Sequence, residues 1–540
     1  MAQRDGGDQM AELGSHAVVL GAGMAGLLAA RVLSEFYASV TVVERDTLPD
    51  RAEQRTGVPQ GRHLHSLLSR GTQAIGELFP GMLEEMGADG AVVDDGDDLS
   101  RVYVRIGNHE INPVGRLADP QAVAAYQASR PFLEFHLRRR VTGLANVTVI
   151  GQRNIVGPVL ADGSVTGVRI IDRATGSATI LRGDLVVDAT GRAACSARFL
   201  TNQGFGAMPE DRVPSTGGYS SQLLRIPPGR IRQRLVFVNQ GRQAPGAMLV
   251  AYERDTWMLA VSCSDECGSP PSTYAEMMRT VERMLPAEMV AGLRDATCIG
   301  EISISRNTRA VWRRYEQLPD LPPGLVVLGD ALCSLNPLHG QGMTMAALQA
   351  LSLRDCLGTG SADLPRRFYR AAAESIRPVW AVNRTIDQPQ LASVHRTQAW
   401  LQRAVLRAAG TDIAVAEQIL RVRGLIDPPA RLRDRRFLAR VLLADLRHPR
   451  ATLFTQPATS HSSLNGSDEQ AIRALVDRQA RRRRAPTHIT RLRYLTPDVA
   501  LIQARTAITG PIRRRPRRNT SVAVRTGDGW SLAFSQNAAH

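Results

Sequence analysis

Gly21, Gly23 and Gly26 stand in the hexapeptide Gly21-Ala22-Gly23-Met24-Ala25-Gly26, and an acid, Glu44, follows 23 positions after the first of them. Glycines at this spacing can hold a phosphate. The first permits a tight turn, the second lets a pyrophosphate approach the backbone, and the third lets a helix pack closely on a strand. A carboxylate placed like Glu44 can accept hydrogen bonds from a ribose. The elements that must position these groups surround them. The apolar run His16–Leu20 leads into the glycines, Leu27, Leu28 and Val32 recur at helical spacing after them, and the β-branched run Val40–Val43 closes on Glu44. Strand, glycine turn, helix and strand create a helix N-terminus whose free N–H groups and positive dipole end suit a dinucleotide.

Two more strand ends carry polar turns. Leu185-Val186-Val187-Asp188-Ala189-Thr190-Gly191-Arg192 reads as a buried strand entering a turn, and Leu325–Leu328 as another that ends in Gly329-Asp330. Asn336–Gly342 is turn-like, and the periodicity after it predicts a helix over Met343–Leu357. An irregular stretch, 51–70, contains Arg62, His63 and His65. Helical patterns resume at Gly71–Met86, and alternating strands fill Val147–Val187 with turns at Ala161-Asp162-Gly163 and Thr175-Gly176. Residues 215–305 read as an antiparallel sheet with one helical piece, Ser272–Leu293. Residues 362–450 read as Arg-rich helices, and Thr455–Ser467 as a linker.

A formal charge of +16 suggests nucleic acid until it is located. Residues 431–540 hold 22 Arg against 7 acids, whereas residues 1–430 are nearly balanced, with 45 against 44. All 67 basic residues are Arg, with no Lys, and the Arg runs 481–484 and 513–518 lack interleaved aromatics. A solvated basic surface is the simpler reading, and no nucleic-acid partner is expected. The six cysteines have no metal spacing and read as free thiols of a reducing cytoplasm, so no metal site is expected. No apolar stretch approaches the ~20 residues of a membrane span. Ahead of the apolar segment 17–30, Arg4 is outweighed by Asp5, Asp8 and Glu12, the wrong charge for an export signal. A cytoplasmic protein with at most peripheral membrane contact is expected.

Three motifs, GAGMAG with Glu44 (21–44), DATGRAACSAR (188–198) and GDALCSLNPLHGQGM (329–343), stand in one order, each at a strand end. They resemble the FAD-dependent monooxygenases of the p-hydroxybenzoate hydroxylase and squalene epoxidase superfamily. Within it, residues 55–65 (RTGVPQGRHLH), Ser129-Arg130-Pro131-Phe132-Leu133 and Asn336-Pro337 look like the polyene epoxidases of bacterial polyether pathways. The resemblance implies a Rossmann-like α/β FAD-binding domain of the GR2 type over 15–205 and 306–360. It also implies an antiparallel-sheet substrate domain over 206–305 and a C-terminal helical region over 361–454. Residues 468–540 resemble a truncated SnoaL-like segment, a small α+β appendage.

Carried residue by residue, the resemblance gives Gly21, Gly23 and Gly26 to the FAD pyrophosphate, Glu44 to the ribose and Arg45 to the adenine side. Arg130 reaches the FAD, and Asp330 serves the ribityl chain. Pro337, Gly340 and Gly342 form the flavin-ring environment, with no side-chain nucleophile expected. His339, within that turn, reads equally as a flavin neighbour and as a structural group, and Arg62 and His63 more often as structural ones. Met343 opens the helix that faces the cofactor, although its side chain reads as core. Asp188 belongs to a motif shared by FAD and NAD(P)H, but Ala189 stands where the family has Gly. The implied activity inserts one oxygen from O2, through a flavin C4a-hydroperoxide, into an apolar natural product. A polyketide polyene, carried on an acidic acyl carrier protein or free, fits that reading. Electrons would come from NAD(P)H directly or through a partner flavin reductase. A flavin-dependent reductase of prenyl double bonds and a non-catalytic flavin-binding scaffold remain the alternatives. A flavin-dependent halogenase is disfavoured, because the chain has no Lys and no WxWxIP segment.

Overall fold

The computed structural model describes residues 12–111, 114–388, 396–447, 466–482, 487–496, 499–506, 517–526 and 529–538. The chain divides into two compact units, one of Met1–Ala392 with Leu420–Pro428 and one of Ser393–Ile419 with Pro429–His540.

In the first unit, strand β1 (Gly14–Leu20) passes through the glycine turn into helix α1 (Met24–Leu33) and returns as β2 (Tyr37–Val43). They form the middle of a five-stranded sheet in the order Leu325–Val327, Leu185–Asp188, β1, β2, Val147–Ile150, parallel throughout. Val18, Val19, Val42, Val186, Val187, Val326 and Val327 are all buried, as expected of strands covered on both faces. Helix α1 packs against the helices Arg130–Thr142 and Gly342–Gly358. The latter runs one residue beyond the expected helix at each end.

A three-stranded antiparallel sheet, Arg153–Ala161, Ser164–Asp172 and Ala178–Arg182, turns at the expected places. Its first hairpin holds Asp162 and Gly163 at φ 50° and 75°, the left-handed pair that a tight hairpin turn requires.

The larger sheet has seven strands in the order Thr297–Ser305, Gly217–Arg225, Thr256–Ser264, Gly246–Ala251, Leu235–Asn239, Val102–Ile106, His109–Glu110. It is antiparallel except where Val102–Ile106 runs parallel to Leu235–Asn239. Two differences from the sequence reading appear here. The sheet recruits residues 102–110, which lie outside 206–305. The helical piece Ser272–Leu293 is two helices, Tyr274–Val281 and Ala287–Arg294, with Pro286 capping the second. Proline fits a helix start and not a helix interior, so the pattern breaks there.

The two faces of this sheet differ. Val236, Val238, Ala247, Leu249, Leu259 and Val261 share a core with Met277, Val281, Met289 and Leu293 of those helices. The alternate residues face the other way, and their surroundings are described below.

The second unit contains the helices Arg396–Ala409, Arg435–Arg447 and Gly466–Arg482 and a four-stranded antiparallel meander, Thr487–Thr496, Val499–Thr506, Arg517–Thr526 and Gly529–Ala538. Ile472, Val476, Ile502 and Ala523 form its small buried cluster. Of the expected linker Thr455–Ser467, residues 455–465 lie outside the described residues, as do Arg483, Arg484 and Arg513–Arg515; Gly466 and Ser467 begin a helix. No helix among the described residues is long and apolar enough to cross a membrane.

Candidate cofactor and substrate site

The three glycines are required for three different reasons. Gly21 has φ 101°, and a Cβ there would lie 2.8 Å from the Ala189 carbonyl oxygen. A Cβ on Gly26 would lie 1.8 Å from the Gly21 carbonyl oxygen, so the helix could not approach the strand. Gly23 is not constrained by the protein. Its φ of −78° and ψ of −177° suit any residue, and a Cβ would meet only Arg130 Nη2, at 3.9 Å. The space beside Gly23 is therefore kept for something other than the chain. Arg130, the first residue of the Arg130–Thr142 helix, reaches that space. Ser129 Oγ caps the helix by accepting from Phe132 N, and Glu253 holds Ser129. Burial lowers the Arg130 pKa, although Glu134 and Asp330 oppose the shift. Arg130 Nε is buried with no hydrogen-bond partner, although Glu134 Oε2 stands 3.5 Å away. An open strand-to-helix turn and a buried, incompletely bonded guanidinium above it fit the pyrophosphate of a dinucleotide.

Glu44 sits at the end of β2 with its carboxylate already engaged. Oε2 accepts from Ala22 N at 2.8 Å, and Oε1 accepts from Arg45 N at 2.8 Å and Asp46 N at 3.0 Å. It thus fixes the glycine turn, with little acceptor capacity left for a ribose. The exposed Arg45 donates to the Gly57 carbonyl at 3.3 Å.

Asp188 is fully buried. Its Oδ1 accepts from Thr190 N and Oγ1, and its Oδ2 accepts from Ser196 N and Cys195 Sγ. This carboxylate builds the turn and offers no free acceptor to a ligand. Asp330 differs: it is partly exposed and lightly held, with Gln60 Nε2 at 3.5 Å and Arg192 Nε at 3.8 Å. It also faces the start of the Gly342–Gly358 helix, for a Cβ on Gly342 would lie 3.8 Å from Asp330 Oδ1.

That helix follows the turn Pro337–His339. Asn336 Oδ1 accepts from Leu338 N, and Gly340 turns the chain at φ 66° with open space beside it. The N–H groups of the first helical turn have no intrahelical acceptor and can meet an anion. Met343 is buried in the core, so only its backbone is available to a cofactor. His339 is held by its far side: Nε2 lies 3.0 Å from Asp387 Oδ1, which also accepts from Asn336 Nδ2 at 3.1 Å. Asp387 ends the helix Leu364–Asp387, and its carbonyl accepts from Arg242 Nη1 of the large sheet at 2.8 Å.

Two groups that the sequence reading left without a role organise the site. Arg55, whose side chain is 3% exposed, donates to the Ala22 carbonyl at 3.2 Å and to Glu134 Oε1 at 2.6 Å. It pairs with Glu44 and Asp46, each at 3.3 Å. Burial alone would lower its pKa, but the three carboxylates raise it. The only sequence signal was its place at the head of the 55–65 motif.

The second group is the loop carrying His63 and His65. His63 Nδ1 lies 3.1 Å from Ser221 Oγ, and its ring stands edge-on to Tyr219. His65 exchanges backbone bonds with the Tyr252 hydroxyl, and burial next to Arg130 pushes its pKa down to about 3. The loop therefore lies over the face of the large sheet away from its helices. There the row Val250, Met258, Leu223 packs with Leu64. The next row, Phe237, Met248, Ala260, Ser221, has its first three residues only half-buried although its strands are central. This stretch of mid-sheet is incompletely covered.

One cluster with metal-ligand chemistry, Glu85, Asp89 and His136, lies elsewhere. Desolvation would raise the Glu85 pKa, but bonds from Arg139, His136 and Arg140 hold it at about 2. Its lone pairs already serve those cations, so the cluster is an ion-pair network. All six cysteines are free.

No family model matches the chain. Protein Rv3254 of Mycobacterium tuberculosis is 38% identical over 435 residues, covering 76% of this chain and 90% of that protein. The chain belongs to the Rv3254 family. A kynurenine 3-monooxygenase of Salinispora arenicola is 28% identical over 363 residues, covering 63% of this chain and 72% of its own. Among solved structures, the flavin-dependent brominase Bmp2 aligns with a TM-score of 0.56 at 16% identity, covering 80% of this chain and 99% of its own. That likeness shows the fold. This Rv3254-family chain has the mixed α/β fold of FAD-binding monooxygenases, with its parallel sheet and helices in place.

Proposed function

We propose that this chain is an FAD-dependent monooxygenase that transfers one oxygen atom from O2 to a largely apolar organic molecule. Epoxidation of a polyketide polyene is its most specific form. The observation that carries the reading is the open space beside Gly23 with the buried, incompletely bonded Arg130 at its edge; Asp330 and the open first turn of the Gly342–Gly358 helix, next to each other, add to it. FAD would supply the oxygen activation. The chain's own residues supply the rest. Arg130 and the N–H groups after Gly23 would hold the pyrophosphate, and Asp330 the polyol between ring and phosphates. The N–H groups from Gly342 onward would stabilise negative charge on the reduced ring. The half-buried apolar row Phe237, Met248 and Ala260 would align a double bond away from water, which is what transfer of an electrophilic oxygen asks of a protein.

NAD(P)H, used directly or through a flavin reductase, is the electron source in this reading. With the Asp188 carboxylate committed to its own turn, the nicotinamide would dock elsewhere. We read residues 468–540 as a truncated SnoaL-like appendage, supported by the order of one helix, Gly466–Arg482, and then four strands and by the small buried cluster they share. Its arginines would attract an acidic carrier protein. Free thiols agree with a cytoplasmic setting.

The test is turnover of the FAD-loaded protein with NADPH, ¹⁸O2, and a linear polyene acid or its ester, followed by mass spectrometry. One ¹⁸O atom per product molecule is expected. A product that gains two hydrogens and no oxygen would replace this reading with a double-bond reductase. Normal flavin content without turnover by any donor would replace it with a scaffold.

A further inference from the structure

The face of the large sheet that packs on its own helices changes character at one end. In mid-sheet the row Tyr103, Val236, Leu249, Leu259 is apolar and belongs to the core shared with Met277 and Val281. Two residues along each strand, the next row on the same face holds Arg101, Arg234, Ala251 and Trp257. Arg234 N donates to the Arg101 carbonyl at 2.6 Å, and Ala251 N to the Arg234 carbonyl at 2.9 Å. Two arginines thus stand side by side on neighbouring strands, directly beside the buried Ala251 and Trp257 of the core.

A cavity of about 390 Å³ opens at this row, within the size range of small-molecule sites. Three buried core residues, Ile226, Ile231 and Trp257, line it. Arg101, Arg234 and Arg254 line it as well, Arg234 half-buried and the other two exposed at the mouth. Asp255 is the single carboxylate of the lining. Arg101 has Asp98 at 3.4 Å. The guanidiniums of Arg234 and Arg254 have no hydrogen-bond or carboxylate partner among the described residues.

The wall that carries Arg254 is built against local preference. Arg254 and Asp255 are the central pair of the hairpin turn between Gly246–Ala251 and Thr256–Ser264, at φ 57° and 56°. Such a turn favours Asn-Gly, and an arginine adopts this conformation reluctantly. The turn is fixed from the other side. The Tyr252 hydroxyl bonds the backbone N and O of His65, and Glu253 accepts from Ser129 N at 2.9 Å and Ser129 Oγ at 2.6 Å. The hairpin therefore holds its place before a ligand arrives, which spares the ordering cost of binding.

We infer that this cavity is a second ligand site, for a small organic anion. A flat apolar body rests against Trp257 and Ile226, and its carboxylate or phosphate meets Arg234 and Arg254. An indole offers such a body a broad apolar surface, and guanidiniums bind either oxyanion through paired hydrogen bonds. The lining shares no residue with the glycine turn or Arg130, so the site stands independently of the monooxygenase reading.

Calorimetric titration of the full-length protein with 1-naphthoate, 1-naphthyl phosphate and the neutral 1-naphthalenemethanol tests the site. At least one anion is expected to bind about 10-fold or more tightly than the alcohol, and the tighter of the two identifies the oxyanion preferred. Arg234→Met is expected to abolish that preference, and Arg234→Lys to restore part of it. Arg254→Gly suits the positive φ and keeps the hairpin, yet is expected to weaken the anion by about 3-fold or more. Bound ligand is expected to change the tryptophan fluorescence, and Trp257→Phe to remove that change. Absence of binding by both anions, equal binding of anion and alcohol, or a preference that survives Arg234→Met would each overturn the inference. Should Arg234→Met fail to fold, an unchanged anion affinity in Arg254→Gly overturns it instead.

Discussion

Replacing Gly23 by Ala separates what the glycine turn does for the fold from what it does for a ligand. The backbone at Gly23 is extended, and the added Cβ would meet nothing nearer than Arg130 Nη2 at 3.9 Å. Fold stability of the ligand-free protein is therefore expected to hold or to rise by about 0.4–1 kcal/mol, because alanine restricts the unfolded chain. The methyl group nevertheless occupies the space where a pyrophosphate must approach the backbone. A loss of at least about 100-fold in FAD affinity is expected, roughly 2.8 kcal/mol at 1.4 kcal/mol per tenfold. Gly26→Ala is the contrasting control. Its Cβ would lie 1.8 Å from the Gly21 carbonyl oxygen, and the resulting separation of strand and helix should destabilise the ligand-free protein by about 1–3 kcal/mol or more. Thermal unfolding of the apoproteins and fluorescence titration with FAD measure the two effects independently. A Gly23→Ala protein with native FAD affinity, or with lowered apoprotein stability, would refute the reasoning.

Other expectations rest on the groups around the turn. Arg55→Met removes the cation shared by Glu44, Asp46 and Glu134, and should cost about 3–5 kcal/mol in urea unfolding; adding Glu134→Gln should recover part of that loss. His65 is held neutral, with a folded pKa of about 3 against 6.5 for the free group. The unfolded chain therefore binds more protons between those values, and stability falls as pH drops through this window. In His65→Gln the slope of stability against pH over that range should be shallower by up to one proton. Asp387→Leu leaves the amide of Asn336 without its acceptor, for a loss of about 1–3 kcal/mol. The loss should be larger in the FAD-loaded protein than in the apoprotein when both are followed by unfolding.

The strands and turns of the parallel sheet were legible in the sequence because strand ends and glycine turns are local features. Gly26 is constrained by the Gly21 carbonyl of its own strand–turn–helix unit, which spacing alone reveals, whereas Gly21 is constrained by its φ of 101° and by the Ala189 carbonyl of another strand end. Asp188 and Glu44 were legible as acids at strand ends, but not as groups whose lone pairs are already taken by donors of their own turns. That depends on the fold of the turns. The substrate half was less legible. Val102–Ile106 joins the large sheet from more than 100 residues upstream of its neighbour Leu235–Asn239, and no local pattern records such a pairing. The helical piece Ser272–Leu293 hid its break at Pro286 because apolar periodicity continues across it. Arg55 was one arginine among 67, and only its tertiary surroundings set it apart.

The large sheet also has a bearing on how such a protein can change. Along each central strand, residues that pack on the helices alternate with half-buried residues of the opposite face: Val236 with Phe237, Leu249 with Met248, Leu259 with Ala260. Selection for folding acts on one set and selection for ligand on the other, within the same few residues of chain. Substitutions at Phe237, Met248 or Ala260 can reshape that opposite face while leaving the packed face intact. A lineage built on this sheet can explore new ligands through single substitutions, without first acquiring a stabilising background.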